Sequence, residues 1–289
     1  MGGTRVWGLL LAWVVAVSAL GCNQERNESV RLMNEGIKLY RKERLMQAVQ
    51  QLEKAVNVDP TNDKALFYEG MLRYQKLGEL PRGESLLKKA IELNGKVAEY
   101  HYHLGTALAA QDKNPEAVAA FDQCLELDAK HGEAHFRRGM ALEAQARFDD
   151  AQAAYREAIK NRPRLAEAYY ALGMLYFRFE KFAHALQVLK NGTGNAPAYG
   201  PMYKALGQTY QKQKRFDDAV NQFEKALTLD PGDATTHFNL GMVYEANGDA
   251  EKAVEHLKRY LVVKPATEDS LRVQTVRDVI ARLENRGGR

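Results

Sequence analysis

A chain of 289 residues with a formal net charge of +4, its Lys and Arg interspersed with Asp and Glu, carries no electrostatic footprint for nucleic acid. Two cysteines, Cys22 and Cys124, allow at most one disulfide. Residues 1–22 differ in composition from everything after them: one charge at Arg5, an apolar run from Val6 to Leu20, then Gly21-Cys22. About 15 apolar residues are too few to span a bilayer comfortably and suit the core of a signal peptide.

The stretch Ser18-Ala19-Leu20-Gly21-Cys22 resembles a bacterial lipobox, in which a small residue precedes the cysteine that is lipidated and becomes the mature N-terminus. It departs from the strict pattern in having Ala19 where Leu is usual, with Leu20 one place late. The resemblance implies a signal peptide over 1–21, lipid on Cys22 and attachment to a membrane through that lipid. An ordinary cleaved secretory signal and an uncleaved anchor are the alternatives. N-myristoylation fits worse, because Val6 stands where that motif has Ser or Thr. With Cys22 acylated, Cys124 has no intramolecular partner and reads as a small core residue. Residues 23–28 read as a short polar linker, at most about 20 Å when extended. By the same resemblance, Asn23 rather than Asp after the cysteine implies the outer membrane, with the protein facing the periplasm.

From residue 29 a ruler of glycines runs along the chain: Gly36, Gly70, Gly105, Gly139, Gly173, Gly207 and Gly241, spaced 34 or 35 residues apart. Such regularity means a repeat array. A second small residue follows each glycine: Ala48, Ala117, Ala151, Ala185, Ala219 and Ala253, with Gly83 in the one longer repeat. Pro60, Pro163, Pro197, Pro231 and Pro265 close their units. Small residues at two fixed points let two helices approach closely, and proline, lacking an N–H, stops the second helix. The seven units are 29–62, 63–97, 98–131, 132–165, 166–199, 200–233 and 234–267, each a helical hairpin. Core residues fall at positions 4, 7, 8 and 11 of the first helix and 20, 24 and 27 of the second, which is helical spacing on one face.

Phase and period resemble the tetratricopeptide repeat (TPR), whose pattern runs aromatic, Leu-Gly, Tyr, Ala, Phe, Ala, Pro. Repeat six carries all of it in Tyr203, Leu206-Gly207, Tyr210, Ala219, Phe223, Ala226 and Pro231. The resemblance implies an all-α, right-handed α-solenoid of seven TPR hairpins. The remaining segment, 268–289, reads as a capping helix and tail, with Val273, Val276, Ile280 and Leu283 on one side.

Two units depart from the pattern. The second has an extra residue, placed near Pro81-Arg82, and ends in Asn94-Gly95 without proline. In the fifth, Asn191-Gly192-Thr193-Gly194-Asn195 reads as an early break of the second helix and a flexible kink before repeats six and seven. Its glycines lack the lysine and hydroxyl spacing of a phosphate loop.

Enzymatic readings fare badly. His101, His135 and His237 occupy position 4, where other units place Leu32, Leu66, Tyr169 and Tyr203, so they read as packing residues. His101-x-His103 and His131-x₃-His135 lack a third ligand or a carboxylate base nearby in sequence. No nucleophile elbow or His-Glu-x-x-His pairing occurs. The expectation is therefore no catalytic, metal or cofactor site and no small-molecule substrate.

Positions 5, 9 and 12 share the first-helix face that the hairpin core leaves unused, the face that lines the concave groove in tetratricopeptide arrays. Position 5 reads Met33, Phe67, Tyr102, Phe136, Tyr170, Lys204 and Phe238. Position 9 includes Ile37, Met71, Met140, Met174, Gln208 and Met242, and position 12 adds Tyr40, Tyr74 and Phe177. Packing between neighbouring first helices accounts for part of this stripe. Methionine at four of seven position-9 sites suits adaptable apolar recognition of an amphipathic or extended protein segment. Lys204 and Asn239 match part of the family's clamp for a peptide carboxylate, but Gln208 replaces its asparagine. The expectation is a non-enzymatic, lipid-anchored scaffold. Lipobox plus array resembles the pilotin lipoproteins that promote assembly of type IV pilus secretins. An adaptor for peptidoglycan enzymes or polysaccharide export, and an enzyme with a hidden site, are the rival readings.

Overall fold

The computed structural model describes residues 23–264 and 270–287. The expected signal peptide, Cys22 and the end of the seventh repeat lie outside the described residues. Among these, every regular element is helical: α1 (residues 23–41), α2 (Leu45–Val58), α3 (Asp63–Lys76), α4 (Leu80–Leu93), α5 (Ala98–Ala109), α6 (Asn114–Leu127), α7 (Gly132–Ala144), α8 (Phe148–Asn161), α9 (Ala166–Arg178), α10 (Phe182–Asn195), α11 (Gly200–Lys212), α12 (Phe216–Leu229), α13 (Ala234–Asn247), α14 (Ala250–Val263) and α15 (Ser270–Gly287). The fold is all-α, built of consecutive helical hairpins. The chain forms two compact units, Met1–Arg147 and Phe148–Arg289.

In unit 1, α3 pairs with α4 and α5 with α6, and α2–α3, α4–α5 and α6–α7 stack side by side. In unit 2, the hairpins α9–α10, α11–α12 and α13–α14 stack in the same way between α8 and α15. The hairpin core forms because the position-8 glycine admits a bulky position-24 side chain. A β-carbon added at Gly36 would stand 2.8 Å from Leu52 Cγ, one at Gly105 2.7 Å from Phe121 Cε1, and one at Gly207 2.6 Å from Phe223 Cε1. The turns share a second device, a residue in the left-handed region: Glu43, Asp112, Ala146, Glu180 and Lys214, with Gly78 and Gly248 serving in repeats two and seven. In repeat two this residue comes one place late, so the extra residue enters between Gly70 and Gly78 rather than near Pro81-Arg82. It lengthens the first arm of that hairpin.

The structure corrects three further expectations. Residues 23–28 are not an extended linker but the first turns of α1. α10 runs unbroken through Gly192 to Asn195, and Ala196 N–H bonds Gly192 O at 2.8 Å. Gly192 is buried there, where a β-carbon would meet Met202 Sδ and lie 2.7 Å from Tyr169 Cβ. Close packing, not helix breaking, explains the glycine. Positions 7 and 11 of repeat two hold a buried ion pair instead of apolar residues, with Arg73 Nε donating to Glu69 Oε1 at 2.5 Å and an Arg73 terminal nitrogen to Glu79 Oε2 at 2.8 Å. Burial raises the Glu69 pKa against the pull of Arg73. Such a pair adds little net stability while intact, yet losing one partner strands a buried charge.

Positions 3 and 10 of the first helix are also buried, and the sequence stripe did not include them. Ala65, Tyr100, Ala134, Ala168, Met202 and Thr236 at position 3, and Leu72, Ala107, Ala141, Leu175, Thr209 and Val243 at position 10, are all closed to solvent. In repeat one the same positions carry Arg31 and Lys38, both exposed. α15 packs on α14, and Val276, Val279, Ile280 and Leu283 join the core that contains Leu257 and Tyr260. Cys124 is fully buried, and burial pushes its thiol up to about 12, so it is an inert core residue.

These contacts order two substitutions. Gly207→Leu drives a side chain into the Phe223 ring and is expected to cost about 3 kcal/mol or more. Gly192→Ala is expected to cost about 1 to 2 kcal/mol, because the Tyr169 β-carbon cannot swing aside. Thermal melts decide this: a Gly192→Ala protein melting at or above the parent contradicts the close packing.

Candidate functional site

The first helices present their position-5, -9 and -12 side chains as two strips, one in each unit. In unit 1 Met33, Phe67 and Tyr74 are buried, whereas Ile37, Tyr40, Met71, Tyr102 and Phe136 are half-buried. Met140 is 44% exposed. Phe67 stacks on Tyr100 with centroids 4.7 Å apart and meets Tyr68 edge-on at 5.1 Å. Arg137 lies over Phe136 at 5.9 Å. The strip is thus a floor of packed aromatic rings with methionine thioethers at its surface.

Set into this floor is a polar cluster that the sequence did not reveal. Gln75 Nε2 donates to the Tyr74 hydroxyl at 2.9 Å, and the hydroxyl's own proton has His103 Nδ1 in reach at 2.6 Å. His103 Nε2 then carries the ring proton and faces Glu99 Oε2 at 3.8 Å. His131 caps α7 by accepting from Ala134 N–H at Nδ1, so its Nε2 is also the protonated nitrogen and lies 3.4 Å from Glu99 Oε1. Tyr102 stacks on His131 at 4.8 Å. Both imidazoles therefore turn N–H groups, not lone pairs, toward one carboxylate, an arrangement unsuited to a metal ion. Among the described residues no group of three His, Cys, Asp or Glu side chains could hold one. Glu99, His103 and His131 occupy positions 2, 6 and 34, outside the stripe chosen by spacing, and only the fold brings them together with Tyr74 and Tyr102.

The position-4 histidines have a common structural task. His101 Nε2 donates to Gly95 O at 2.9 Å, His135 Nε2 to Ala129 O at 3.0 Å and His237 Nε2 to Pro231 O at 3.1 Å. Each ties its helix to the turn six residues earlier.

In unit 2, Tyr170, Met174, Phe177, Lys204, Gln208, Phe238 and Met242 are all half-buried. Tyr170, Met174, Phe238 and Met242 lie against the core and keep one side open. Phe238 packs on Tyr260 at 5.6 Å, and Arg272 of α15 lies over the same ring at 5.8 Å. Lys204 Nζ is held by Asp233 Oδ2 at 2.9 Å, and Thr236 Oγ1 donates to the same oxygen at 2.7 Å. Burial would raise the Asp233 pKa, but the hydrogen bonds from Lys204, Thr236 and the Thr235 N–H, with the charge of Lys204, together outweigh it and hold the carboxyl below its ordinary value. Lys204 is thus neutralised within the protein. Asn239 Nδ2 is buried without a partner among the described residues.

A tetratricopeptide-repeat family profile matches residues 72–132, 102–147, 136–199 and 204–270, more than half of the chain. The chain belongs to the tetratricopeptide-repeat family. Arrays of this family are typically non-enzymatic scaffolds for protein–protein interaction. No curated protein matches the chain in sequence. Among solved structures, Pseudomonas aeruginosa pilF is similar with a TM-score of 0.63 and 17% identity over 75% of this chain and 96% of its own. A tetratricopeptide repeat protein from Parabacteroides merdae aligns at TM-score 0.62 and 14% identity, over 89% of this chain and 99% of its own. YrrB, a TPR protein with an unusual peptide-binding site, aligns at 0.53 and 24%, over 63% and 93%. At these identities the likeness is one of fold.

The buried imidazole generates a pH prediction. Burial, reinforced by His131, pushes His103 down to about 4, below its ordinary 6.5. Between pH 6.5 and 4 the unfolded chain takes up a proton that the folded chain refuses. The contribution of His103 to stability is therefore complete above pH 6.5 and is lost as pH falls toward 4, on the order of 3 kcal/mol. In urea titrations at pH 7 and pH 4.5, His103→Gln should shrink the difference in midpoint; an unchanged difference would remove His103 as its source.

Proposed function

We propose that this protein is a lipid-anchored, non-enzymatic TPR scaffold of the cell envelope. It grips an apolar or amphipathic segment of a protein partner along its first-helix strips and assists assembly of an envelope complex. The specific role proposed is that of a pilotin for a type IV pilus secretin, with Cys22 lipidated in the inner leaflet of the outer membrane and the array facing the periplasm. The observation that carries the binding reading is Met140, a methionine left 44% exposed on the same first-helix face as the packed rings of unit 1. Half-buried Met71, Met174 and Met242 repeat the arrangement at the same register. Unbranched, polarizable methionine side chains adapt to varied apolar surfaces at small cost. Family membership supports a protein partner, and the lipobox-like stretch before residue 23 supports the anchor.

Two measurements test this reading. Met140→Gln makes the open part of the unit 1 strip polar while keeping length and helix propensity. Capture of the secretin by the purified protein should fall about tenfold, equivalent to about 1.4 kcal/mol, with melting temperature unchanged. Full capture by a stable variant would remove the strip from the binding surface. In cells, Cys22→Ser should abolish fatty-acid labelling and release or leave unprocessed a protein whose array still melts like the parent. An unlabelled parent protein would sink the anchor.

A further inference from the structure

Second helices end and first helices begin along one edge of unit 1, and polar contacts between the beginning and the end of each repeat mark it. Asn62 Nδ2 donates to Ser29 Oγ at 2.9 Å, Asn94 Nδ2 donates to Asp63 Oδ2 at 2.9 Å, and His131 Nε2 lies 3.4 Å from Glu99. The last residue of each second helix here is apolar: Val58 is half-buried, Leu93 46% exposed and Leu127 44% exposed. Single exposed leucines are ordinary on a protein surface. Large apolar side chains recurring at one repeat position, along a single edge of polar turns, form a row.

The N-terminal segment enters the molecule at this same edge. Asn23, Glu25 and Arg26 of α1 line a cleft of about 610 Å³ together with Val58 and Lys64 of the α2–α3 turn. α1 is helical from residue 23, so Cys22 is bonded directly to the helix with no spacer. The six residues 23–28 rise only about 9 Å. The opposite edge, where Lys42 sits in the α1–α2 turn, lies farther off by the length of α1, about 28 Å. An anchor at or before Cys22 therefore brings the leucine edge to a bilayer surface and keeps the hairpin-turn edge away.

We propose that this edge of unit 1 rests on the lipid surface, with Leu93 and Leu127 reaching the interfacial layer and Lys64, Lys96 and Lys130 beside them at headgroup level. The inference rests on the membrane-anchor part of the proposed function. Charge attraction does not drive the contact, since Glu92 and Glu126 are exposed at the same level. Asp59 and Asp128 accept from the backbone N–H of Thr61 and Lys130 in exposed turns of the same edge. Attachment geometry and the leucine row carry it. The first helices of unit 1 then stand with their N-termini toward the lipid and hold the apolar strip side-on to the membrane.

The natural tryptophans, Trp7 and Trp13, both precede Cys22. Replacing both by Phe keeps an introduced reporter single whether or not the leader is removed. Leu127→Trp and Lys42→Trp, in full-length protein purified from membranes, place that reporter on the two edges. Both are reconstituted into phosphatidylcholine–phosphatidylglycerol vesicles containing brominated phosphatidylcholine. Quenching at residue 127 should exceed that at residue 42 at least threefold; equal quenching overturns the edge contact and leaves the anchor standing. Intact mass of the same samples tests the anchor separately. Absence of acyl mass overturns the lipid on Cys22, and the quenching pair still decides the edge.

Discussion

The contact that the rest of the structure depends on is an absence, the missing β-carbon at repeat position 8. Leu52, Phe121, Leu189, Phe223 and Leu257 each press on the backbone of the facing helix at a distance no side chain there would permit, and Leu87 comes nearly as close. Packing at that distance excludes water from both arms and fixes their register. The position-20 small residue completes the approach, and a left-handed residue near position 15 reverses the chain between them. A non-glycine residue in that conformation is strained by about 1 to 2 kcal/mol, and five of the seven turns accept it. The hairpins are therefore held by their arms, and the turn follows.

Most of this was legible in the sequence because it repeats. Gly36 to Gly241, with Ala48 to Ala253, gave the phase, the hairpin and the core at positions 20, 24 and 27. What was hidden belongs to contacts between repeats. Positions 3 and 10 look unremarkable within one helix, and their burial comes from the neighbouring hairpin; recurrent alanine at 65, 134 and 168 was the available signal. Gly192 shows the other failure. Read locally, Asn-Gly-Thr-Gly-Asn breaks a helix, but in the fold Tyr169 and Met202 leave no room for a side chain, and packing outweighs propensity. The ion pair of Glu69 and Arg73 was visible only as a departure from an apolar pattern.

The candidate site was legible in the same partial way. Spacing placed Met140, Met174 and Phe238 on one helix face, and they do lie there with sides open to solvent. It could not separate them from Met33 and Phe67, which the adjoining helices cover. Nor could it find the Tyr74–His103–Glu99–His131 cluster, whose members come from four different repeat positions. That cluster lies within the floor of the unit 1 strip: both imidazoles face Glu99, and His131 stacks on Tyr102. Packed rings beside flexible thioethers separate two tasks, shape and adaptability.

The charges Arg31 and Lys38 at positions 3 and 10 of the first repeat have a consequence for the protein in company. Elsewhere those positions are the seat for a preceding hairpin, and a repeat array whose first seat were apolar would accept the end of another copy. Burying Lys38 and the ion-paired Arg31, with Glu28 beside it, against such an apolar end would cost their desolvation. At the far end α15 fills the equivalent place with its own valines and leucine, pinned by Arg282 to Glu245. The charged face of α1 thus opposes docking by a second copy at the first repeat, even where many copies crowd onto one surface.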